Sequence, residues 1–135
     1  MNILKGKIAI LTGAASGLGL ATSLRFAAEG ASVVMVDRGE DEVRRAAEGG
    51  GLLLDSIRAD ITKTADLVAL RDHIAKTYGR ADVLFANAGI ATVARIGEVT
   101  EEAFDRTVAV NVKGTFFTVQ TLLPALRDGA SGSRL

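Results

Sequence analysis

The stretch TGAASGLG, residues 12–19, groups three glycines between an apolar run and a helical pattern. Glycines at positions 13, 17 and 19 let the chain turn sharply and let a phosphate approach the backbone closely. The amides at the start of the following helix would then point at the anion. No Lys-Ser or Lys-Thr pair follows the second glycine, which excludes the P-loop of nucleoside triphosphatases. The stretch therefore indicates a phosphate-binding loop of another kind.

Asp37 and Arg38 stand at the end of the second predicted strand, roughly 20 residues after the loop, where dinucleotide-binding proteins carry an acid. A carboxylate there can accept hydrogen bonds from ribose hydroxyls, and it repels a 2′-phosphate. An arginine beside the acid could pair with that phosphate. The acid favours NAD, and Arg38 keeps NADP as the less favoured alternative. A plain loop-entry role for Asp37 also stays open.

Polar groups are predicted at the ends of the other strands as well. Asp60 ends the third strand, and Asn87, Ala88 and Gly89 follow the fourth. In a doubly wound sheet, ligands bind outside the carboxyl ends of the strands, at the point where the strand order reverses. We therefore expect the glycine loop and these polar groups to line one crevice.

The elements that must position these residues follow from hydrophobic periodicity. Short apolar runs alternate with longer segments of helical period, which is typical of βαβ units in a parallel sheet. The predicted strands are residues 7–12, 32–37, 56–60 and 82–86. The expected fold class is α/β, a Rossmann-like doubly wound parallel sheet in the order 3-2-1-4. On this prediction the fold is truncated after the fourth strand and two following helices.

The first two helices have clear sequence signals. Leu20, Leu24 and Ala28 recur at helical spacing, and Gly30 supplies the positive φ that commonly ends a helix. A short second helix is predicted over residues 40–48, with acidic residues in the first turn, where the helix dipole favours them.

A third helix is marked by one apolar face, formed by Leu67, Leu70, Ile74 and Tyr78. Thr62 or Thr64 is its predicted N-cap, and Gly79 its predicted end. Tyr78 is therefore expected to pack against the core, and His73 on the same helix is given no functional role.

Two more helices are predicted over residues 100–110 and 111–129. The last is apolar nearly all round: Val112, Phe116, Val119 and Leu123 share one side, and Phe117, Leu122 and Leu126 lie off it. Such a helix is usually covered on two sides. A partner helix, giving a homo-oligomer through residues 111–126, and a longer chain that covers this surface are both open.

Five elements together, TGAASGLG, Asp37, ADIT at 59–62, NAG at 87–89 and NVKG at 111–114, resemble the short-chain dehydrogenase/reductase family in order and spacing. The resemblance runs from residue 7 to about residue 128. It implies residues 1–128 as an incomplete Rossmann domain and 129–135 as a flexible tail. It further implies an NAD(P)-dependent oxidoreductase that moves a hydride between nicotinamide and an alcohol or carbonyl carbon.

The resemblance also implies roles for individual residues. The pyrophosphate falls to the glycine loop, namely Gly13, Ser16, Gly17, Leu18 and Gly19. Asp37, with Arg38 beside it, takes the adenosine ribose, and Asp60 and Ile61 flank the adenine. Asn87, Ala88 and Gly89 line the nicotinamide-side ribose. Asn111 resembles the catalytic asparagine that bends its helix and holds a relay water; a helix N-cap is the alternative, and both roles could hold.

The family pairs a catalytic tyrosine with a lysine four residues later and with a serine. Tyr78 is the only tyrosine here and is followed by GRAD, so it is not that residue, and Ser131 and Ser133 lie in the tail. We therefore expect weak dinucleotide binding and negligible turnover. The alternative is a non-catalytic binding or interaction module that pairs with a full-length relative through its C-terminal helices.

Composition limits the remaining function classes. With 48% hydrophobic and 24% charged residues and a net charge of zero, neither disorder nor a nucleic-acid partner is indicated. Cysteine is absent, and no run approaches the roughly 18 apolar residues of a membrane span. The expected setting is cytoplasmic, with no membrane partner and no metal.

Overall fold

The computed structural model of the protein describes residues 2–51 and 53–127. Strands and helices alternate in this part of the chain. In order they are β1 (Ile8–Thr12), α1 (Gly17–Ala28), β2 (Ser32–Asp37), α2 (Glu40–Glu48), β3 (Leu54–Arg58), α3 (Thr64–Thr77), β4 (Val83–Phe85), α4 (Glu101–Val108), a π-helical segment (Ala109–Gly114) and α5 (Thr115–Arg127).

The four strands form one parallel sheet in the order β3-β2-β1-β4. β1 is central: Ile10 pairs with Val34 of β2 on one side and with Leu84 of β4 on the other. The predicted Rossmann-like order 3-2-1-4 is confirmed. The strand order reverses between β1 and β4. The crevice is therefore expected outside the carboxyl ends of these two strands, next to Thr12 at the end of β1.

The sheet buries apolar residues on both faces, as a parallel sheet covered by helices must. Ile8 and Ile10 of β1 belong to one core cluster, which contains Leu70 and Ile74 of α3 and Leu122 of α5. The opposite face has its own cluster, made of Ala9, Leu11, Ala14, Ala31, Val33, Met35, Val43 and Ala47. The two clusters fix β1 and β2 rigidly, and with them the loops at their ends.

The predicted bounds of β3 are wrong by two residues: the strand is Leu54–Arg58, and Asp60 lies beyond it. The strand begins early because Asp55, opposite Val34, has partners for its carboxylate. His73 Nε2 lies 3.1 Å from Asp55 Oδ2, and the Tyr78 hydroxyl donates to the same oxygen at 2.9 Å. A bonded carboxylate can stand in a strand where an unpaired one would be costly.

Tyr78 packs against the core cluster under α3, as its spacing predicted. Burial raises its pKa to about 12, and the hydrogen bond to Asp55 adds to the shift. The phenol is therefore protonated throughout the physiological range. Its role in this part of the chain is to connect α3 with β3.

The N-cap of α3 is Lys63, so the predicted Thr62 or Thr64 cap is wrong. Thr62 is occupied elsewhere, since its backbone N–H and its hydroxyl both donate to Asp60 Oδ1, at 2.9 and 2.6 Å. Gly79, with φ of 78°, ends the helix as expected. Gly30, with φ of 91°, does the same after α1.

Helix α4 continues into α5 through the π-helical segment Ala109–Gly114, where two separate helices were predicted. Thr100 caps α4 by accepting a hydrogen bond from Ala103 N–H at 3.1 Å. Asn111 lies inside the π-helical segment, so its alternative role as a helix N-cap is wrong. π-helical turns are rare and are often found at functional sites.

Helix α5 buries one side and exposes the other. Leu122 is fully buried, whereas Phe116 exposes 60% of its surface, and Val112, in the π-helical segment before α5, exposes 62%. Of the four residues predicted to share a side, Val112, Phe116 and Leu123 are exposed, and Val119 is half-buried. The predicted tail, with Ser131 and Ser133, lies outside the described residues. Within the described ranges, no helix is long and apolar enough to cross a membrane.

Candidate functional site

A cleft of about 590 Å³ lies at the carboxyl ends of the strands. Its size falls within the range of small-molecule and cofactor sites. Most residues singled out from the sequence line it, namely Gly13, Ser16, Leu18, Asp37, Arg38, Asp60, Ile61, Asn87, Ala88 and Gly89. Gly17, Gly19 and Asn111 are not part of the lining. The crevice expected from the strand order is therefore present, with its predicted residues gathered in one place.

The glycine loop leaves no space for side chains where it passes the loop after β4. A Cβ at Gly19 would overlap the Gly13 carbonyl oxygen and lie 2.7 Å from Asn87 Nδ2. Gly13 itself has φ of 65°, and a Cβ there would lie 2.9 Å from Ala88 Cα. Gly13 also lines the cleft, so a phosphate could approach its backbone there.

The start of α1 has unused hydrogen-bond donors. Its N-cap, Ser16, makes no side-chain capping bond, and the first turn contains no acidic residue. The first amides of a helix have no intrahelical acceptor, and the helix dipole favours an anion beside them. The loop and the helix start therefore fit a bound phosphate group.

Thr12 joins the glycine loop to the loop after β4. Its Oγ1 accepts hydrogen bonds from the backbone N–H groups of Asn87 and Ala88, both at 3.1 Å. The Asn87 amide donates back to the carbonyl oxygens of Thr12 and Gly13, at 3.2 and 3.4 Å. Asn87 therefore holds the loop after β4 against the start of the glycine loop. Thr12 was predicted only as a strand end, because its bonding partners lie far along the sequence.

Asp37 is held against the glycine loop. Its Oδ2 accepts a hydrogen bond from Ala15 N–H at 3.1 Å, and its Oδ1 accepts one from Arg38 N–H at 2.8 Å. A carboxylate has about four lone-pair sites, so acceptor capacity remains for two hydroxyl donors. The acid and the loop form one unit, which fixes the carboxylate before any ligand arrives.

Asp60 is oriented by its own turn. The hydrogen bond from the Thr62 hydroxyl, supported by the Thr62 N–H, lowers the pKa of Asp60 despite the opposing effect of burial. The Asp60 N–H donates to the Asp66 carboxylate at 2.9 Å. The same carboxylate forms an ion pair with Arg58 at 2.8 Å. Asp60 is therefore ionised at neutral pH and faces the cleft beside Ile61.

Asn111 supports the cleft from outside its lining. Its Oδ1 accepts a hydrogen bond from Ile90 N–H, and its Nδ2 donates to the Ile90 carbonyl, both at 2.8 Å. A Cβ at Gly89 would lie only 3.3 Å from Asn111 Oδ1. The side chain thus holds the loop after β4 against the π-helical segment.

Several lining residues were not predicted from the sequence, namely Val36, Ala59, Thr62, Ile90, Arg106 and Val110. Arg106 and Val110 reach the cleft because Gly114, one turn further along, packs closely on Ile61: a Cβ there would lie 2.8 Å from Ile61 Cδ1. The spacing of four between Arg106, Val110 and Gly114 indicates a shared helix face, but it does not show which element that face contacts. The Arg106 guanidinium has no hydrogen bond or ion pair with a described residue.

The described residues contain no cluster of histidine and acidic side chains suited to a metal ion. His73 lies away from the cleft, beside Asp55. The polar groups that converge at the strand ends are amides, hydroxyls and two carboxylates, a set that suits a phosphorylated ribose better than an isolated cation.

Comparison with known proteins agrees with this geometry. The family model described as short chain dehydrogenase matches residues 7–133. The chain belongs to the short-chain dehydrogenase family. It is 37% identical over 133 residues to 3-oxoacyl-[acyl-carrier-protein] reductase FabG from Thermotoga maritima, covering 96% of this chain and 54% of that protein. It is 35% identical over 130 residues to oxidoreductase asL5 from Sarocladium schorii, covering 96% and 52%.

A solved relative carries a nicotinamide cofactor. The 3-ketoacyl-(acyl-carrier-protein) reductase from Brucella melitensis, complexed with NADH, superposes with a TM-score of 0.86 at 40% identity. The match covers 90% of this chain and 51% of that one. The chain thus spans about half the length of the relatives that it matches.

Proposed function

We propose that this chain binds a nicotinamide dinucleotide in the cleft, with NAD preferred to NADP, as the cofactor-binding part of a short-chain oxidoreductase. The position of Asp37 carries the proposal: its carboxylate is fixed to the glycine loop through Ala15 and still has acceptor sites for ribose hydroxyls. The NADH complex of the Brucella melitensis relative supports the cofactor class.

Each part of the dinucleotide has a suitable place. We assign the pyrophosphate to the glycine loop and the unused amides at the start of α1, and the adenosine ribose to Asp37. We assign the adenine to Asp60 and Ile61, and the nicotinamide-side ribose to residues 87–89. Leu18, whose side chain is 77% exposed, would be covered by the ligand.

A bound nicotinamide cofactor supplies a hydride acceptor or donor for an alcohol or carbonyl carbon. The protein has to orient the substrate and move a proton. Both polar groups of the Asn111 side chain are bonded to Ile90, so we propose that Asn111 contributes to the proton relay by fixing the loop after β4.

These 135 residues contain one tyrosine, Tyr78, with aspartate rather than lysine four positions later. Its hydroxyl is bonded to Asp55, and its pKa of about 12 is far from neutral. A general acid or base works best with a pKa near the operating pH. We therefore propose that this chain binds cofactor and has negligible turnover by itself, in a cytoplasmic setting.

The test is calorimetric titration of the chain with NAD and with NADP. We expect NAD to bind more tightly than NADP. Asp37→Arg should lower the ratio of NAD affinity to NADP affinity by about tenfold, which corresponds to about 1.4 kcal/mol. Asp72→Arg makes the same exchange at an exposed site on α3, outside the cleft, and should leave the ratio unchanged. No saturable binding to the unsubstituted chain, or an unchanged ratio in Asp37→Arg, would contradict the proposal.

A second candidate function is self-association, or pairing with a longer relative, through an exposed helical surface. This surface is formed by Phe104, Val108, Val112, Phe116 and Leu123. Contiguous apolar surface on a helix commonly marks an interface. Sedimentation velocity should show a dimer that Phe116→Lys dissociates. A monomer at all concentrations would remove this candidate and leave the cofactor proposal intact.

A further inference from the structure

A second hollow, of about 270 Å³, adjoins the cleft beside Asp37. It shares Ser16, Asp37 and Arg38 with the cleft and is also lined by Ala15, Gly39 and Glu42. If the proposed function holds, the adenosine ribose lies at Asp37, and this hollow is where a 2′-phosphate would extend. The charges around the hollow therefore bear on the choice between NAD and NADP.

Glu42 reaches the hollow because Gly39 leaves space for it. A Cβ at Gly39 would overlap Glu42 Oε2 and lie 2.9 Å from its Cδ. The backbone of Gly39 is extended, with φ of −87° and ψ of 108°, so its conformation suits any residue. Any side chain at position 39 would, however, displace the Glu42 carboxylate.

The charges that face the hollow are two acids and one base. Arg38 is the base, and its guanidinium has no ion pair with a described residue. Arg58 lies near, with Nε 3.4 Å from the Arg38 carbonyl, but its guanidinium is paired with Asp66 at 2.8 Å. Glu42 accepts no hydrogen bond within the described ranges, so its charge is not neutralised by a partner.

Two further acids stand beside Glu42 in the first turn of α2. They are Glu40 and Asp41, and Asp41 is paired with Arg44 at 2.9 Å. Neither lines the hollow. The helix dipole of α2 stabilises this acidic turn at its N-terminus. A negative charge at position 42 is therefore favoured by its place in the helix.

We propose that Glu42 is a second residue that determines cofactor specificity. Together with Asp37 it rejects a 2′-phosphate by charge repulsion, against the single attraction of Arg38. Neutralising Asp37 alone therefore leaves part of the discrimination in place. The proposal rests on dinucleotide binding in the cleft.

The test measures the dissociation constants of NAD and NADP for Glu42→Gln and for Glu40→Gln. The second variant makes the same change of charge in the same helical turn, outside the hollow. Exposed charge pairs have modest effects, so we expect Glu42→Gln to tighten NADP binding by about two- to fivefold, with NAD binding nearly unchanged. The gain should shrink in high salt because these charges are open to solvent. Glu40→Gln should give a clearly smaller gain.

Two more variants separate charge from position. Gly39→Ala keeps every charge but displaces the Glu42 carboxylate, and we expect it to tighten NADP binding in the same direction. Asp37→Asn combined with Glu42→Gln should tighten NADP binding further than Asp37→Asn does. The role of Glu42 would be overturned if Glu40→Gln and Glu42→Gln changed NADP affinity equally. It would also be overturned if Glu42→Gln left NADP affinity unchanged while NAD still bound. Either result would leave the proposed function intact. Failure of the unsubstituted chain to bind either dinucleotide would overturn the proposed function itself.

Discussion

Gly19→Ala is expected to distort the glycine loop and to weaken NAD binding by at least about tenfold. The added Cβ would overlap the Gly13 carbonyl oxygen and lie 2.8 Å from the Gly13 carbonyl carbon. These are backbone atoms, which cannot turn aside as a side chain can. Relief requires the loop to move away from α1, which breaks the bonds from Asn87 to Thr12 and Gly13. Overpacking of this kind typically costs about 1–3 kcal/mol of folding stability.

Urea unfolding and NAD titration measure the two effects of Gly19→Ala. We expect a lower unfolding midpoint and a dissociation constant at least about tenfold higher. Gly49→Ala is the matched control: φ is −72° there, and the nearest atoms to an added Cβ lie at 3.7 Å, an ordinary contact. If Gly19→Ala unfolds and binds like the unsubstituted chain, the loop does not have the close packing described above.

Thr12→Val has the second largest expected effect. Valine has nearly the same shape as threonine, so the buried position stays filled, but Oγ1 is lost. The Ala88 N–H then loses its acceptor, whereas the Asn87 N–H keeps its second bond, to the Phe85 carbonyl at 2.9 Å. A partly buried donor left unpaired costs about 1–3 kcal/mol. The loop after β4 should loosen, and NAD binding should weaken with it.

Thr12→Ser is the control, because it retains the hydroxyl and removes only a methyl group. We expect Thr12→Ser to lose about 1 kcal/mol or less, close to the transfer free energy of one buried methylene. Thr12→Val should lose clearly more, in urea unfolding of both variants side by side. Equal unfolding midpoints for the two variants would show that the hydroxyl does not hold the loop.

The sheet could be predicted from the sequence because its strands are nearly continuous apolar runs. β2 was placed without error, and the strand order followed from the βαβ pattern. β3 was predicted to begin at residue 56, two residues too late, because the sequence does not show the partners of the Asp55 carboxylate. Only the tertiary structure brings His73 and Tyr78 to its carboxylate. A strand that depends on distant partners cannot be bounded by periodicity alone.

The helix after the fourth strand shows the same limit. The helix was predicted to begin at Thr100, and in the structure Thr100 is the N-cap of a helix that begins at Glu101. The π-helical turn depends on the bonding of Asn111 to Ile90, whose position in the sequence gives no local sign of the contact. Two separate helices were therefore predicted, with an N-cap as the alternative role of Asn111. In the structure the helix continues through Asn111.

The candidate site divides along similar lines. Gly13, Asp37 and Asn87 could be predicted because each follows directly after a strand, and the ends of parallel strands meet at one edge. Arg106 and Glu42 could not, because they reach the cleft and its adjoining hollow from helices. Their approach depends on the absence of side chains at Gly114 and Gly39. Space left by a glycine in a tertiary contact is not visible in the sequence.

The central claim, that one dinucleotide binds across the carboxyl ends of these strands, is tested most directly by an NMR titration of the isotope-labelled chain with NAD. We predict saturable shifts of the amide signals of residues 13–19, 37–38, 60–61 and 87–89, with little change on α2 beyond its first turn or at the C-terminal end of α3. No saturable shifts, or shifts confined to other parts of the chain, would contradict the claim.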